Sequence, residues 1–262
     1  MSIIAKKSLG QNFLINENVI QQIVNTVEIK DKEILEIGPG TGSLTRYILK
    51  NEPKKFYVIE KDDKLSLLLK EKFTDKINII NDDVLEVAVD KISSDKLTVF
   101  GNLPYNISTE ILSRWISSLD EKFWFNSLVL MFQKEVADRI IAKFNNSNYG
   151  RLSILSSWKL NIKKIIDIKP ECFSPRPKVN SSLLLFTPKE NFFKIKDPKN
   201  LEKITRIFFS QRRKMLKKPF NQIFKNSNEI SKKFNIDLNL RPQNLSPEIY
   251  FQITNEYEKL RS

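Results

Sequence analysis

The sequence predicts an α/β protein, a doubly wound, mostly parallel sheet with a small helical domain at the C-terminus. Three observations carry this prediction. Apolar runs with strand-like and helix-like spacing alternate from Val19 to Phe186, and a β-α-β-α succession folds into a parallel sheet with right-handed crossovers. Three of the chain's six glycines fall between Gly38 and Gly42, directly after the first strand-like run. The charge is uneven: residues 1–186 carry a net +4, whereas residues 187–262 carry +9 and show only helical spacing. The division therefore falls after Phe186, giving domains 1–186 and 187–262.

The elements follow in order. Val19, Ile20, Ile23, Val24 and Val27 form one helix face behind Asn16, a residue type suited to an N-cap. Glu33 to Ile37 is a short apolar run stopped by Gly38-Pro39-Gly40, hence a strand. Leu44 to Leu49 has helical spacing. Phe56 to Ile59 reads as a strand ending at Glu60, and Leu65 to Phe73 as a helix. Ile77 to Ile80 is a strand ending at Asp82-Asp83, and Leu97 to Phe100 a strand ending at Gly101-Asn102. Ile107 to Ile116 is helical, Leu128 to Phe132 a strand, Val136 to Phe144 helical, and Ser182 to Phe186 a strand. Ligands of open parallel sheets bind beyond the C-terminal strand ends. Gly38, Glu60, Asp83 and Asn102 all lie there.

Composition removes several chemistries. The 262 residues hold no histidine and a single cysteine, Cys172, which excludes a Ser-His-Asp triad, a Cys-His dyad, imidazole ligation and a Cys-rich zinc site. No metal is expected. No apolar run approaches the length of a membrane span, and Lys6 and Lys7 break the start of any signal segment, so a cytoplasmic location is expected. The 44 Lys and Arg against 31 Asp and Glu leave a net charge of +13, which suits a polyanionic partner.

The glycine turn brings the backbone close to a ligand and opens onto free helix N–H groups. Its spacing is G-x-G-x-G, with Ser43 where a dinucleotide fingerprint has its third glycine. A bare strand-to-helix turn would look the same, but Glu60, twenty residues after Gly40, is placed to accept hydrogen bonds from ribose hydroxyls. Together they indicate a nucleoside-containing cofactor, a nicotinamide dinucleotide or S-adenosylmethionine. Of Asp82 and Asp83, Asp83 is favoured as acceptor for an adenine amino group, the other serving as a helix cap.

Gly101-Asn102-Leu103-Pro104-Tyr105 suits methylation of an exocyclic amine on a nucleobase. Such a nitrogen is a poor nucleophile because its lone pair is delocalised into the ring. The Asn102 side-chain oxygen and the Leu103 carbonyl, accepting its two N–H bonds, would localise that pair. Pro104 stiffens the turn and Tyr105 offers a face for stacking. A sulfonium methyl held in line then transfers by displacement, with the rate coming from positioning and fixed dipoles.

These residues resemble the N-(P/L/I)-P-(Y/F) motif of adenine N6 methyltransferases. The run Val99 to Thr109 is similar to the bacterial small-subunit (16S) ribosomal RNA adenine N6,N6-dimethyltransferases, as are Lys7 to Leu14, Gln133 to Val136, Tyr149 to Ser153, Phe173 to Val179 and Gln211 to Lys214. The resemblance implies a Rossmann-like class I methyltransferase fold and S-adenosylmethionine as cofactor. It implies contacts to that cofactor from Asn12 and Leu14, and places Gly38 on the methionine part, Glu60 on the ribose, Asp83 on the adenine and Asn102 near the methyl. It makes Tyr105 and Phe173 the aromatics on either side of the target base. The implied reaction is dimethylation of two adjacent adenines in the 3′-terminal hairpin loop of small-subunit ribosomal RNA, on an immature 30S subunit. A monomer is expected. Arg176 adds a phosphate contact, and Arg212, Arg213, Lys214, Lys217 and Lys218, five cations within seven positions, are the main RNA-binding candidates, with Lys6 and Lys7 adding to the same surface. A non-catalytic ribosome-assembly factor on this fold, a large-subunit ribosomal RNA methyltransferase and a nicotinamide-dependent oxidoreductase stand as alternatives.

Overall fold

The computed structural model describes residues 6, 10–119 and 122–261. In chain order its strands and helices are β1 (Phe13–Leu14), α1 (Glu17–Val24), β2 (Glu33–Ile37), α2 (Ser43–Leu49), β3 (Lys55–Ile59), α3 (Asp63–Phe73), β4 (Asn78–Ile80), β5 (Leu97–Asn102), α4 (Ser108–Ser118), β6 (Phe125–Gln133), α5 (Lys134–Ile140), α6 (Arg151–Lys159), β7 (Leu160–Ile168), β8 (Phe173–Ser174), β9 (Ser181–Pro188), α7 (Pro198–Ser210), α8 (Lys217–Ile223), α9 (Ser227–Lys233) and α10 (Pro247–Lys259). The main sheet has the order β4-β3-β2-β5-β6-β9-β7. β4, β3, β2, β5 and β6 run parallel, and β9 pairs antiparallel with β6. β1 and β8 form a separate antiparallel pair, joining Phe13 to Ser174 and Leu14 to Phe173.

The elements expected from sequence are present with shifted ends. Asn16 caps α1, its side chain accepting the Val19 N–H at 3.1 Å. α5 stops at Ile140, short of the expected Phe144, whose side chain is exposed. Periodicity did not pick out β1, β7 and β8; two of these have only two residues each, too short for any pattern.

Contacts divide the described chain into two compact units. One holds the described residues up to Leu112, those of 119–137 and Ile162–Pro188; the other holds Ser113–Ser118, Asp138–Asn161 and residues 189–261. The final junction falls two residues beyond the expected boundary at Phe186. The second unit also takes two earlier segments: α6, in the later one, packs on α7 and α10, and in the earlier one Ser117 donates to Glu202 of α7. Its interior is aromatic: Phe208 meets Phe220 and Tyr250 edge-on, each with centroids 5.4 Å apart, and Tyr149 lies against Phe209.

β2 is buried along its whole length, as a central parallel strand covered on both faces must be. Two of its five residues are glutamates. Glu33 is met by Lys55 at 3.1 Å, whereas Glu36, 2% exposed, has the Thr45 hydroxyl of α2 at 2.7 Å and no cation. Burial, set against the Thr45 hydrogen bond and aided by the nearby Glu60 charge, pushes its pKa up to about 8. The folded chain therefore keeps a proton on Glu36 that the unfolded chain gives up near 4.5. Stability to urea should fall by a few kcal/mol, about 1.4 per pKa unit, as pH rises from 5 to 8. Glu36→Gln should flatten that slope; equal slopes in the two proteins would remove Glu36 as its source.

Candidate active site

Chain order in the parallel sheet reverses between β2 and β5, the position at which open α/β sheets bind ligands. The register makes the strands end together: Ile37 lies opposite Ile59 and Gly101, and Ile59 opposite Ile80. The cavity that opens there is lined by Asn12, Gly38, Gly40, Glu60, Asp82, Asp83, Asn102, Leu103, Pro104 and Tyr105. The sequence-predicted residues thus converge, with two exceptions. Leu14 is buried beside the cavity and does not line it. Phe173 does not face the cavity either; paired with Leu14 through β8, it is 1% exposed within the hydrophobic core.

Each wall has a local cause. Gly38 and Gly40 adopt left-handed φ values of 64° and 59°. A Cβ on Gly40 would lie 2.8 and 2.9 Å from atoms of the Phe13 ring, so only glycine leaves room for both the turn and the arm segment that carries Phe13. Glu60 is buried and accepts the Gly40 N–H at 3.1 Å and the Asp62 N–H at 2.9 Å. Burial raises its pKa against the pull of those hydrogen bonds, and the Asp62 charge adds to the rise. Asp83 receives the Leu85 N–H at 3.0 Å, which caps the turn that follows, and Lys61 at 2.6 Å; Asp82 accepts the Asp83 N–H at 2.7 Å. Capping and cavity lining, divided between the two aspartates in the sequence reading, meet in Asp83.

At the end of β5, the Asn102 amide nitrogen donates to the Asn12 carbonyl at 2.8 Å. That bond takes one of the two amide N–H groups and leaves the oxygen as the acceptor. Leu103 is buried, and the Tyr105 hydroxyl is held by Ser181 at 2.5 Å, which pins the ring. Glycines that leave room for a ligand, a strand-end carboxylate for ribose hydroxyls and acidic acceptors at the next strand end fit S-adenosylmethionine. Gly38 and Gly40 would take its methionine part, Glu60 its ribose and Asp83 its adenine.

In the second unit Arg213, Lys214, Lys217 and Lys218 line one surface depression together with Met215, Asn221, Asn239 and Arg241. Residues 216–217 and 238–240 are tied side by side by the Leu216 N–H to Leu240 carbonyl (2.8 Å) and Lys217 N–H to Leu238 carbonyl (3.1 Å) bonds. Sequence reading missed Arg241 and Asn239, which stand outside any charge run. Arg212 is not part of this depression: its guanidinium binds the Gln243 side chain at 3.1 Å and the Asn146 and Ser147 carbonyls. Arg176 is exposed in the first unit. Lys6 is spent on an ion pair with Asp62 at 2.8 Å, and Lys7 lies outside the described residues.

The Gly40 geometry gives a direct test. Gly40→Ala adds a left-handed penalty of about 1–2 kcal/mol and forces the Phe13 ring away. Calorimetry should find S-adenosylmethionine affinity reduced about tenfold or more, with the far-ultraviolet dichroism spectrum unchanged; unchanged affinity would contradict the close approach of Gly40 to the ligand.

Residues 4–259 match the family model described as ribosomal RNA adenine dimethylase. A protein of Pelagibacter ubique named ribosomal RNA small subunit methyltransferase A is 72% identical over the full length of both chains. One of the same name from Ehrlichia chaffeensis is 42% identical over 95% of each. A solved dimethyladenosine transferase from Plasmodium falciparum superposes with a TM-score of 0.77 at 26% identity, covering 94% of this chain and 98% of its own. The 23S rRNA methyltransferase ErmE shares the fold, with a TM-score of 0.69 at 20% identity over 94% of this chain and 99% of its own. The chain belongs to the ribosomal RNA adenine dimethylase family, and is an S-adenosylmethionine-dependent methyltransferase.

Proposed function

We propose that this enzyme dimethylates N6 of two adjacent adenines in the 3′-terminal hairpin loop of small-subunit ribosomal RNA, acting as a monomer on an immature 30S subunit in the cytoplasm. The extent of the Pelagibacter match and the name of that relative support the choice of subunit. The observation that carries the chemistry is Asn102, whose amide nitrogen is occupied by the Asn12 carbonyl while its oxygen is left as an acceptor at the end of β5.

S-adenosylmethionine supplies an activated methyl on a sulfonium. Everything else falls to the chain. The target adenine leaves its stack and enters the cavity. Its ring lies on the Tyr105 face, which Ser181 keeps from turning. The Asn102 oxygen and the Leu103 carbonyl accept the two N–H bonds of the exocyclic amine and draw the nitrogen towards a tetrahedral form. Fixed dipoles of this kind cost no reorganisation at the moment of reaction. The four cations Arg213, Lys214, Lys217 and Lys218, joined by Arg241, hold the RNA backbone without choosing the base.

Two measurements test this. Asn102→Ala should lower methyl transfer about 10²- to 10³-fold while leaving the fold intact, read by mass spectrometry of the 3′ hairpin after incubation of 30S particles with S-adenosylmethionine; full transfer would remove Asn102 from the mechanism, and methylation of protein-free large-subunit RNA instead would redirect the substrate. Lys217→Ala/Lys218→Ala should weaken RNA binding and reduce the slope of log affinity against log salt by about 1.5, with cofactor affinity unchanged. An unaltered slope would mean that the depression does not meet phosphates.

A further inference from the structure

One buried carboxylate, next in sequence to the cavity-lining Glu60 and Lys61, has no part in the chemistry above. Asp62, 4% exposed, follows the ribose-side Glu60 by two residues. Its neighbour Asp63 is exposed. Every polar group of Asp62 is engaged. The N–H donates to Glu60 at 2.9 Å, and one carboxylate oxygen caps α3 by accepting the Lys64 N–H at 3.0 Å. The other oxygen meets two groups of the N-terminal segment: the Lys6 ammonium at 2.8 Å and the Gln11 side-chain amide at 3.2 Å. Gln11 closes the loop by accepting the Lys6 N–H on its own side-chain oxygen at 2.7 Å.

The segment gathered in this way forms a wall of the cavity. Gly10, Gln11, Asn12 and Phe13 all line it. The wall is attached to the strand ends at two side chains. Asn102 holds the Asn12 carbonyl, and Asp62 holds Lys6 and Gln11. Beyond these, the segment is held by the β1–β8 pair, two residues on each strand, and by the Phe13 ring packed close to Gly40. The same Asp62 is bonded through its own N–H to the carboxylate that faces the ribose. We propose that Asp62 is a positioning residue for the cofactor, fastening the N-terminal segment against the ribose end of the cavity and so setting how tightly and how long S-adenosylmethionine is held.

Burial alone would raise the Asp62 pKa; hydrogen bonds from Lys6, Gln11 and Lys64 outweigh it and keep the carboxyl below the usual aspartate range, so the fastening is charged at neutral pH. An asparagine in its place can still cap α3 with its oxygen. Its amide N–H bonds would then face the Lys6 and Gln11 donors, and the fastening is lost while the helix cap is kept.

The proposal rests on S-adenosylmethionine occupying this cavity. The experiment compares Asp62→Asn, Lys6→Met, the double variant and Asp63→Asn in the full chain, well below their melting temperatures. Readouts are KM for S-adenosylmethionine, kcat on 30S particles, and the release rate of the pre-bound cofactor. Asp62→Asn should raise KM tenfold or more and speed release in proportion, with kcat at saturation within twofold. Lys6→Met should give a smaller change in the same direction, and the double variant should be no worse than Asp62→Asn. Asp63→Asn should match the unaltered protein. The proposal is overturned if KM and release are unchanged in Asp62→Asn, if kcat falls with the melting temperature while KM holds, or if Asp63→Asn acts alike. Should Asp62→Asn fail to fold, Lys6→Met and Gln11→Ala decide, since both leave the α3 cap untouched; no effect from either overturns it. Absence of binding by the unaltered protein would instead refute the assignment of the cavity to this cofactor.

Discussion

The site depends on one constraint: four parallel strands must stop at the same level. Their register is set by backbone pairs between Ile37, Ile59, Ile80 and Gly101, and the ladder runs one residue further, with Gly38 N–H bonded to the Ile59 carbonyl and Glu60 N–H to the Ile80 carbonyl. The next residues of three of these strands, Gly38, Glu60 and Asn102, are therefore delivered to the same cleft. Side chains alternate between the two faces of a sheet, so slippage of any strand by one residue would exchange the side chains that its two faces present and break the packing on both. The burial of Ile34, Leu35, Val58, Val99 and Phe100 enforces the register, and the register places Gly38, Glu60 and Asn102. Packing in the core and position in the site are one constraint.

That arrangement gathers buried acid into a protein of strongly positive charge. Glu36 and Glu60 lie near one another with burial raising both pKa values, and neither has a cation among its hydrogen-bond partners. A fold built for stability alone would not choose this, since an unpaired buried carboxylate costs several kcal/mol or takes up a proton. Backbone amides from Gly40 and Asp62 offset the cost for Glu60. The remaining lone pairs of Glu60 suit hydroxyl donors such as those of a ribose.

Much of this was legible in the sequence, for reasons that differ by residue. The glycine turn stands out because the chain has so few glycines, and the strand ends stand out because apolar runs stop at polar residues of the right type. Asn16 announced its cap. What stayed hidden depends on partners distant in sequence. Phe173 reads as a base-enclosing aromatic in the family pattern, yet pairing of β8 with β1 turns it into the core. Arg212 belongs to a charge run, but its guanidinium is drawn to the Asn146 and Ser147 carbonyls, a loop more than sixty residues away. Arg241 joins the basic depression only because backbone bonds bring residues 238–240 beside 216–217. In Glu60-Lys61-Asp62-Asp63 the three carboxylates are alike to composition, and three-dimensional context alone separates one that lines the cavity, one buried against Lys6 and Gln11, and one exposed to solvent.

On the proposed function, the two units also divide what an RNA-modifying enzyme must do. Cations on flexible stems bind phosphate wherever it passes, and they act through charge that salt screens. They hold a substrate and leave it unselected. Choice of base and of atom requires groups that do not move: a ring pinned through its hydroxyl, an amide oriented by a backbone carbonyl, a turn stiffened by Pro104. Those groups sit at the ends of buried strands in the first unit, where packing density fixes them to a fraction of an ångström. The excess charge sits in the second unit, whose aromatic interior supports a surface that has only to be positive.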